Sequence, residues 1–118
     1  RRGADVTLVA GPLQVATPPG VRVARVETTD EMAAAVAAEL PRQDVLVMAA
    51  APADFRPAQV AGEKIKRGAG ALALELAPTA DILAGTRALR RPGAVVVGFA
   101  LETTDLEANA RKKLASKD

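Results

Sequence analysis

The chain has 118 residues and a mass of 12.1 kDa, so it fits one domain, and area scaling leads one to expect burial of roughly 65% of its extended surface. Hydrophobic residues make up 49% and charged residues 25%, and 16 lysines and arginines stand against 14 acids, a balance that argues against a general nucleic-acid coat. With no His and no Cys there is no zinc finger, no disulfide framework, no thiol nucleophile and no Ser-His-Asp triad, and with only Phe55 and Phe99 as aromatics there is no platform for stacking bases.

In chain order, Arg1-Arg2-Gly3-Ala4 has the pattern of the last turn of a helix, with Gly3 as its terminator. Asp5 to Val9 is expected as a short strand, Gly11-Pro12 as a turn, and Val21 to Val26 as a second strand after the stiff link Thr17-Pro18-Pro19-Gly20. Thr28 opens a helix with Glu31 as its capping-box partner; Met32, Val36 and Leu40 form its apolar face, and Pro41 ends it. Asp44 to Ala50 is a nearly continuous apolar run, as in a strand covered on both faces of a parallel sheet. A loop rich in Pro and Ala follows, then Gly62-Glu63-Lys64-Ile65-Lys66-Arg67-Gly68, then Ala71 to Leu76. There Leu72, Leu74 and Leu76 share one face of an expected half-buried strand, able to pack on its own sheet or on another subunit. A helix is expected from Thr79 or its neighbours to about Arg90, stopped by Pro92-Gly93. Ala94 to Ala100 is a second buried strand, and Asp105 to Asp118 a last helix, capped by Thr104 with Glu107 as box partner and Glu107 paired with Arg111. This alternation predicts a three-layer, Rossmann-like α/β fold with a mostly parallel sheet. Both ends break off inside an element, so the residues are expected to be the central portion of a larger domain.

The longest apolar stretch, Val45 to Ala53, is far short of the ~20 residues that span a bilayer, and no amino-terminal signal pattern occurs. A cytoplasmic protein acting on small anionic molecules is therefore expected, with neither membrane nor nucleic acid as partner.

In such sheets ligands bind beyond the carboxyl ends of the strands. Ala49 to Arg56 (AAAPADFR) leaves one such end: its small residues let backbone amides approach a ligand, and Asp54 supplies an acceptor for a ribose hydroxyl or a cation. The plainer alternative is a tight exit loop in which Asp54 serves a turn. Lys64 and Lys66 point the same way from an extended segment and could both meet a phosphate, or they could be a solvated edge that blocks aggregation. Lys113 and Lys117 lie four apart on the last helix, either as anion contacts or as ordinary exposed lysines. The helix start near Ala80-Asp81 could offer amides to phosphate oxygens, and Phe99 could face a base or belong to the core. No Gly-x-Gly-x-x-Gly or Walker pattern occurs.

The segments Asp5 to Pro12 (DVTLVAGP), Ala49 to Arg56, Glu63 to Arg67 (EKIKR), Ala80 to Leu83 (ADIL) and Gly98 to Thr103 (GFALET) occur in this order. Together they closely resemble the phosphopantothenate–cysteine ligase family, the synthetase half of a bacterial bifunctional coenzyme A biosynthesis protein. The likeness covers essentially the whole chain. It implies that CTP activates the carboxylate of 4′-phosphopantothenate as an acyl-cytidylate, and that L-cysteine then displaces CMP, with Mg²⁺ assisting. By the same resemblance Met48, Ala49 and Ala50 read the cytosine through backbone groups, and Asp54 is the nucleotide-binding aspartate and a candidate metal ligand. Lys64 is the flap lysine that stabilises charge during acyl transfer. Ala80, Asp81, Ile82 and Leu83 hold phosphates, Ala80 standing where a proline is common, and Phe99, Lys113 and Lys117 make further nucleotide contacts.

The resemblance also implies a homodimer through a flap and strand at about residues 56–77, with FMN confined to a decarboxylase domain fused outside this chain. The family's glycine-rich amino-terminal loop, its acyl-cytidylate asparagine and a strand after Asp118 have no counterpart here, so the isolated residues are not expected to turn over. Two other readings were open. A short-chain NAD(P) reductase needs a Tyr-Lys pair, and the chain has no Tyr. A non-catalytic nucleotide-binding module would keep the fold without the chemistry.

Overall fold

A computed structural model describes residues 3–67, 70–99 and 105–117. In chain order these form β1 (Thr7–Ala10), β2 (Arg22–Arg25), α1 (Thr29–Glu39), β3 (Val45–Met48), β4 (Phe55–Pro57), β5 (Leu76–Pro78), α2 (Ile82–Gly85), β6 (Val95–Gly98) and α3 (Leu106–Lys117). Single 3-10 turns follow α1 at Leu40–Arg42 and α2 at Arg87–Leu89.

Helix α1 begins where the sequence places it. Thr28 is extended, its hydroxyl accepts from the Glu31 N–H at 3.1 Å, and the Glu31 carboxylate accepts from the N–H groups of Glu27 and Thr28 at 2.7 and 3.3 Å. Three otherwise orphaned donors are thereby satisfied. Thr28→Ala should destabilise the fold by about 1 kcal/mol, seen as a lower urea midpoint at unchanged slope. The helix turns Val36 and, just past its end, Leu40 inward, and packs on β1 and α2. With Ala10, Val26 and Ile82 these are the buried apolar residues among those described. Arg22 fastens the carboxyl end of α1 to the β1–β2 pair, donating to the Thr7 hydroxyl at 2.6 Å and to the Glu39 carboxylate at 3.2 Å.

Strands β1 and β2 pair in parallel, as do β3 and β6, with Met48 opposite Gly98. Strands β4 and β5 form a short antiparallel ladder, with Phe55 opposite Pro78. The turn at Pro92-Gly93 that delivers β6 needs a left-handed residue, and Gly93 supplies it at φ +80°.

Several expectations are corrected. The accessible surface is 9777 Å², against roughly 6,000 Å² for a compact domain of this mass, so only about 44% of the extended-chain surface is buried. The radius of gyration, 17.6 Å, likewise exceeds the roughly 13.5 Å of a compact chain of this length. Strands β3 and β6 are covered on one face only: Leu46, Met48 and Val96 are half-buried, while Val45, Val47, Val95 and Val97 are exposed. Among the described residues the pair has no further strand beside it, and α1 lies against β1 and α2 instead.

The expected strand at Ala71 to Leu76 is realised only at its last residue, where β5 begins; Leu72 and Leu74 are exposed. Alternation makes a strand only where a partner edge is available, and β4 offers three residues before the chain turns away after Ala58. The helix expected from Thr79 to Arg90 is broken. Asp81 is its cap, and Thr86 closes α2 after one turn, its hydroxyl donating to the Ile82 carbonyl at 2.7 Å. The Glu107–Arg111 pair on α3 forms as expected at 2.9 Å, whereas the Arg1-Arg2 turn and the Thr104 cap lie outside the described residues. Among the described residues no helix is long and apolar enough to cross a membrane.

Candidate functional site at the carboxyl ends of β3 and β6

The parallel register of β3 and β6 puts Met48 beside Gly98 and so brings two chain exits together. The Phe99 N–H donates to the Met48 carbonyl at 3.3 Å, which extends the ladder past the strand ends. Phe99 itself is 71% exposed. Ala49 and Ala50 leave β3 exposed, and their methyl groups leave the backbone open to a ligand.

A third segment joins this edge. The Thr79 N–H donates to the Asp54 carbonyl at 2.9 Å, and the Thr79 hydroxyl donates to the Ala53 carbonyl at 2.5 Å. The entry to α2 is thereby tied to the loop that carries Asp54. On its other side α2 reaches β6, for Leu83 Cδ1 lies 3.5 Å from the position a Cβ on Gly98 would take. Met48, Ala49, Ala50, Asp54, Ala80, Asp81, Ile82, Leu83 and Phe99 therefore gather at one edge from three separate stretches of sequence.

Within that set the side chains differ in availability. The Asp54 carboxylate is exposed and makes no hydrogen bond or ion pair among the described residues. Asp81 is engaged, since its Oδ1 accepts from the Ala84 N–H at 3.1 Å as the cap of α2. Ile82 is buried under the helix, leaving Ala80 and Asp81 as the exposed part of this stretch. The amino end of α2 thus carries an anionic cap, one amide already taken, and the helix has only four residues. Arg56, next to Phe55, lies 3.7 Å from Asp30 on the first turn of α1.

Of the other expected residues, Lys64 makes no hydrogen bond or ion pair among the described residues. Lys64 is exposed in the loop 59–74, whose base is closed by the β4–β5 ladder and by the Ala58 N–H donating to the Glu75 carbonyl at 2.9 Å. A loop of that length reaches at most roughly 25 Å from its base. Lys113 is exposed on α3, which packs on α2; the side chain of Lys117 lies outside the described residues. A shallow depression at the amino end of α3, lined by Asp105, Glu107, Ala108 and Arg111, contains none of the expected site residues.

Charge balance clarifies the division of labour. The edge holds the carboxylates of Asp54 and Asp81, and Arg56, two residues beyond Asp54, is paired with Asp30, so an anion seated there needs cations brought from elsewhere, such as Lys64, Lys66 and Arg67 on the loop. Sequence reasoning missed the role of Thr79, which it placed only at or near the start of a helix. The available signal was Asp81 two residues later, a stronger cap that leaves the Thr79 hydroxyl free for another partner.

The chain resembles known proteins over its full length. It is 46% identical over 121 residues to the "Coenzyme A biosynthesis bifunctional protein CoaBC" of Escherichia coli (strain K12), covering 100% of this chain and 30% of that protein. The protein of the same name from Mycobacterium tuberculosis (strain ATCC 25618 / H37Rv) is 47% identical over 128 residues, covering 99% of this chain and 31% of the relative. The chain therefore spans about three tenths of the length of these curated relatives. A crystal structure of the C-terminal domain of coenzyme A biosynthesis bifunctional protein CoaBC superimposes with a TM-score of 0.82 at 36% identity, over 98% of this chain and 53% of the solved one. That agreement establishes the Rossmann-like α/β fold expected from the alternation of elements. Residues 1–118 also match, as a whole, the family described as "DNA/pantothenate metabolism flavoprotein C-terminal domain". Sequence, fold and relatives converge, and the chain belongs to that family.

Proposed function

We propose that this chain is the central portion of a CTP-dependent phosphopantothenate–cysteine ligase domain working in coenzyme A biosynthesis. One observation supports this above all: three of the stretches on which the family likeness places nucleotide contacts, Met48 to Asp54, Ala80 to Leu83 and Phe99, converge on one edge through Thr79 and the β3–β6 register.

In the proposed reaction a carboxylate oxygen of 4′-phosphopantothenate attacks the α-phosphorus of CTP, forming the acyl-cytidylate and expelling pyrophosphate. The amine of L-cysteine then attacks the acyl carbon, loses a proton, and expels CMP. Both nucleophiles come from substrates, so the chain needs neither His nor Cys; its task is to orient the reactants and to offset charge. Backbone groups of Met48, Ala49 and Ala50 read the cytosine, Asp54 accepts from a ribose hydroxyl, and Phe99 borders the base. Because the edge itself is acidic, the phosphates are held with help from Lys64 on the loop and from Lys113 and Lys117 on α3. Mg²⁺ would be held chiefly by the triphosphate, with Asp54 as the available carboxylate, and would neutralise part of its charge.

The loop and its stem at about residues 56–77 serve as flap and dimer contact. Val60, Ile65, Leu72 and Leu74 are 60–87% exposed there, an apolar surface of the kind that a second subunit covers. The protein works in the cytoplasm as a homodimer, and FMN belongs only to a decarboxylase domain outside these residues.

The test is product analysis by mass spectrometry with the natural full-length protein. Phosphopantothenoylcysteine and CMP should form in equal amounts when CTP, 4′-phosphopantothenate, L-cysteine and Mg²⁺ are all present. Formation of the product without CTP would overturn the proposal.

A further inference from the structure

We propose that Thr79 is a positioning residue for nucleotide binding, which it serves by fixing the direction of Asp54; the inference rests on the ligase reading above. The loop from Ala49 to Asp54 consists of alanines around Pro52 and is exposed except for Pro52, which is half-buried, so side-chain packing cannot hold it. Thr79 holds it from outside. Its hydroxyl takes the Ala53 carbonyl at 2.5 Å and its N–H takes the Asp54 carbonyl at 2.9 Å.

Those two carbonyls belong to the peptide planes on either side of the Asp54 Cα. Fixing both planes sets the φ and ψ of Asp54 and therefore the direction in which its Cα–Cβ bond points. The grip also spans distant parts of the chain, since Thr79 stands 25 residues beyond Asp54 and two before the Asp81 cap of α2. One residue thus sets the relation between the Asp54 loop and the Ala80–Leu83 stretch. The N–H bond survives substitution by any residue except proline, so the part specific to Thr79 is the hydroxyl.

The two roles, positioning and mere stability, are separable. Ala53 is exposed, so water can satisfy its carbonyl when the hydroxyl is removed, and little stability depends on it. What is lost is a fixed Asp54.

The experiment uses the natural full-length protein and measures Mg·CTP binding by calorimetry together with KM for CTP and for L-cysteine. Thr79→Val keeps the volume and removes the hydroxyl, Thr79→Ala is a second hydroxyl-free variant, and Thr79→Ser restores the donor. Both hydroxyl-free variants should raise Kd and KM for CTP about five- to tenfold, and Thr79→Ser should return them to within about twofold of wild type. KM for L-cysteine should not change, and Tm should move by less than about 3 °C. If Thr79→Val binds CTP like wild type while Asp54→Asn is impaired, the positioning role is wrong and the ligase reading stands. Equal impairment of the Ser and Val variants would also overturn it. A wild-type protein that neither binds nor consumes CTP would remove the ligase reading first.

Discussion

Lys64→Gln should abolish detectable product formation by the full-length protein, a loss of at least about 100-fold, while leaving its unfolding transition in place. The size of the effect follows from where charge must be offset. The edge that gathers the proposed nucleotide-binding stretches carries Asp54 and Asp81 and no lysine among its own residues, so in the proposed reaction the triphosphate and the developing negative charge of acyl transfer depend on cations delivered by the loop. Gln keeps a polar side chain, one atom shorter, and removes the charge. The lack of effect on folding follows from the surroundings. Lys64 is exposed and makes no hydrogen bond or ion pair among the described residues, so no structural contact goes with the charge. Product formation is read by mass spectrometry and folding by urea denaturation of the same samples. Activity near wild type would show that Lys64 does not act on the reacting groups.

The largest effect on stability is expected at Leu40. It is 1% exposed, the largest fully buried side chain among the described residues, and it lies where α1 passes into its final 3-10 turn. Leu40→Ala should therefore destabilise by about 2–5 kcal/mol, through lost transfer energy and a retained cavity. Val15→Ala, at a position 72% exposed, should stay within about 0.5 kcal/mol. Urea midpoints measured on both variants separate the two cases. A loss below about 1 kcal/mol at Leu40 would mean that α1 is not anchored as described.

Much of the fold was legible because local chemistry decides it. Thr28 with Glu31 admits one helix start, and the Val-rich runs at residues 45–48 and 95–98 pair in parallel as their composition suggests. What escaped the sequence depends on partners that periodicity does not report. The run Ala71 to Leu76 alternates like a strand, yet only Leu76 finds an edge, because β4 is three residues long. Val45, Val47, Val95 and Val97 have core composition and lie exposed, because composition does not say whether a second layer covers a face. The helix expected to reach Arg90 stops at Gly85, where the Thr86 hydroxyl takes up the Ile82 carbonyl.

The site divides in the same way. Asp54, Phe99 and the Ala80–Leu83 stretch were proposed from the family likeness, and the strand-end rule placed the Ala49 to Arg56 loop at the edge where the structure brings them together. Their mutual attachment could not be read, because it runs through the hydroxyl of Thr79 to a carbonyl 26 residues away. Periodicity cannot detect such a contact.

The most direct test of the central claim is pyrophosphate release by the full-length protein given 4′-phosphopantothenate and Mg²⁺ before any cysteine is added. Release that depends on CTP, with far less from ATP, is the expected result, since the proposed site reads the cytosine at Met48 to Ala50 and the proposed first step needs no amine. No release with CTP and 4′-phosphopantothenate, from protein shown to be folded, would contradict it.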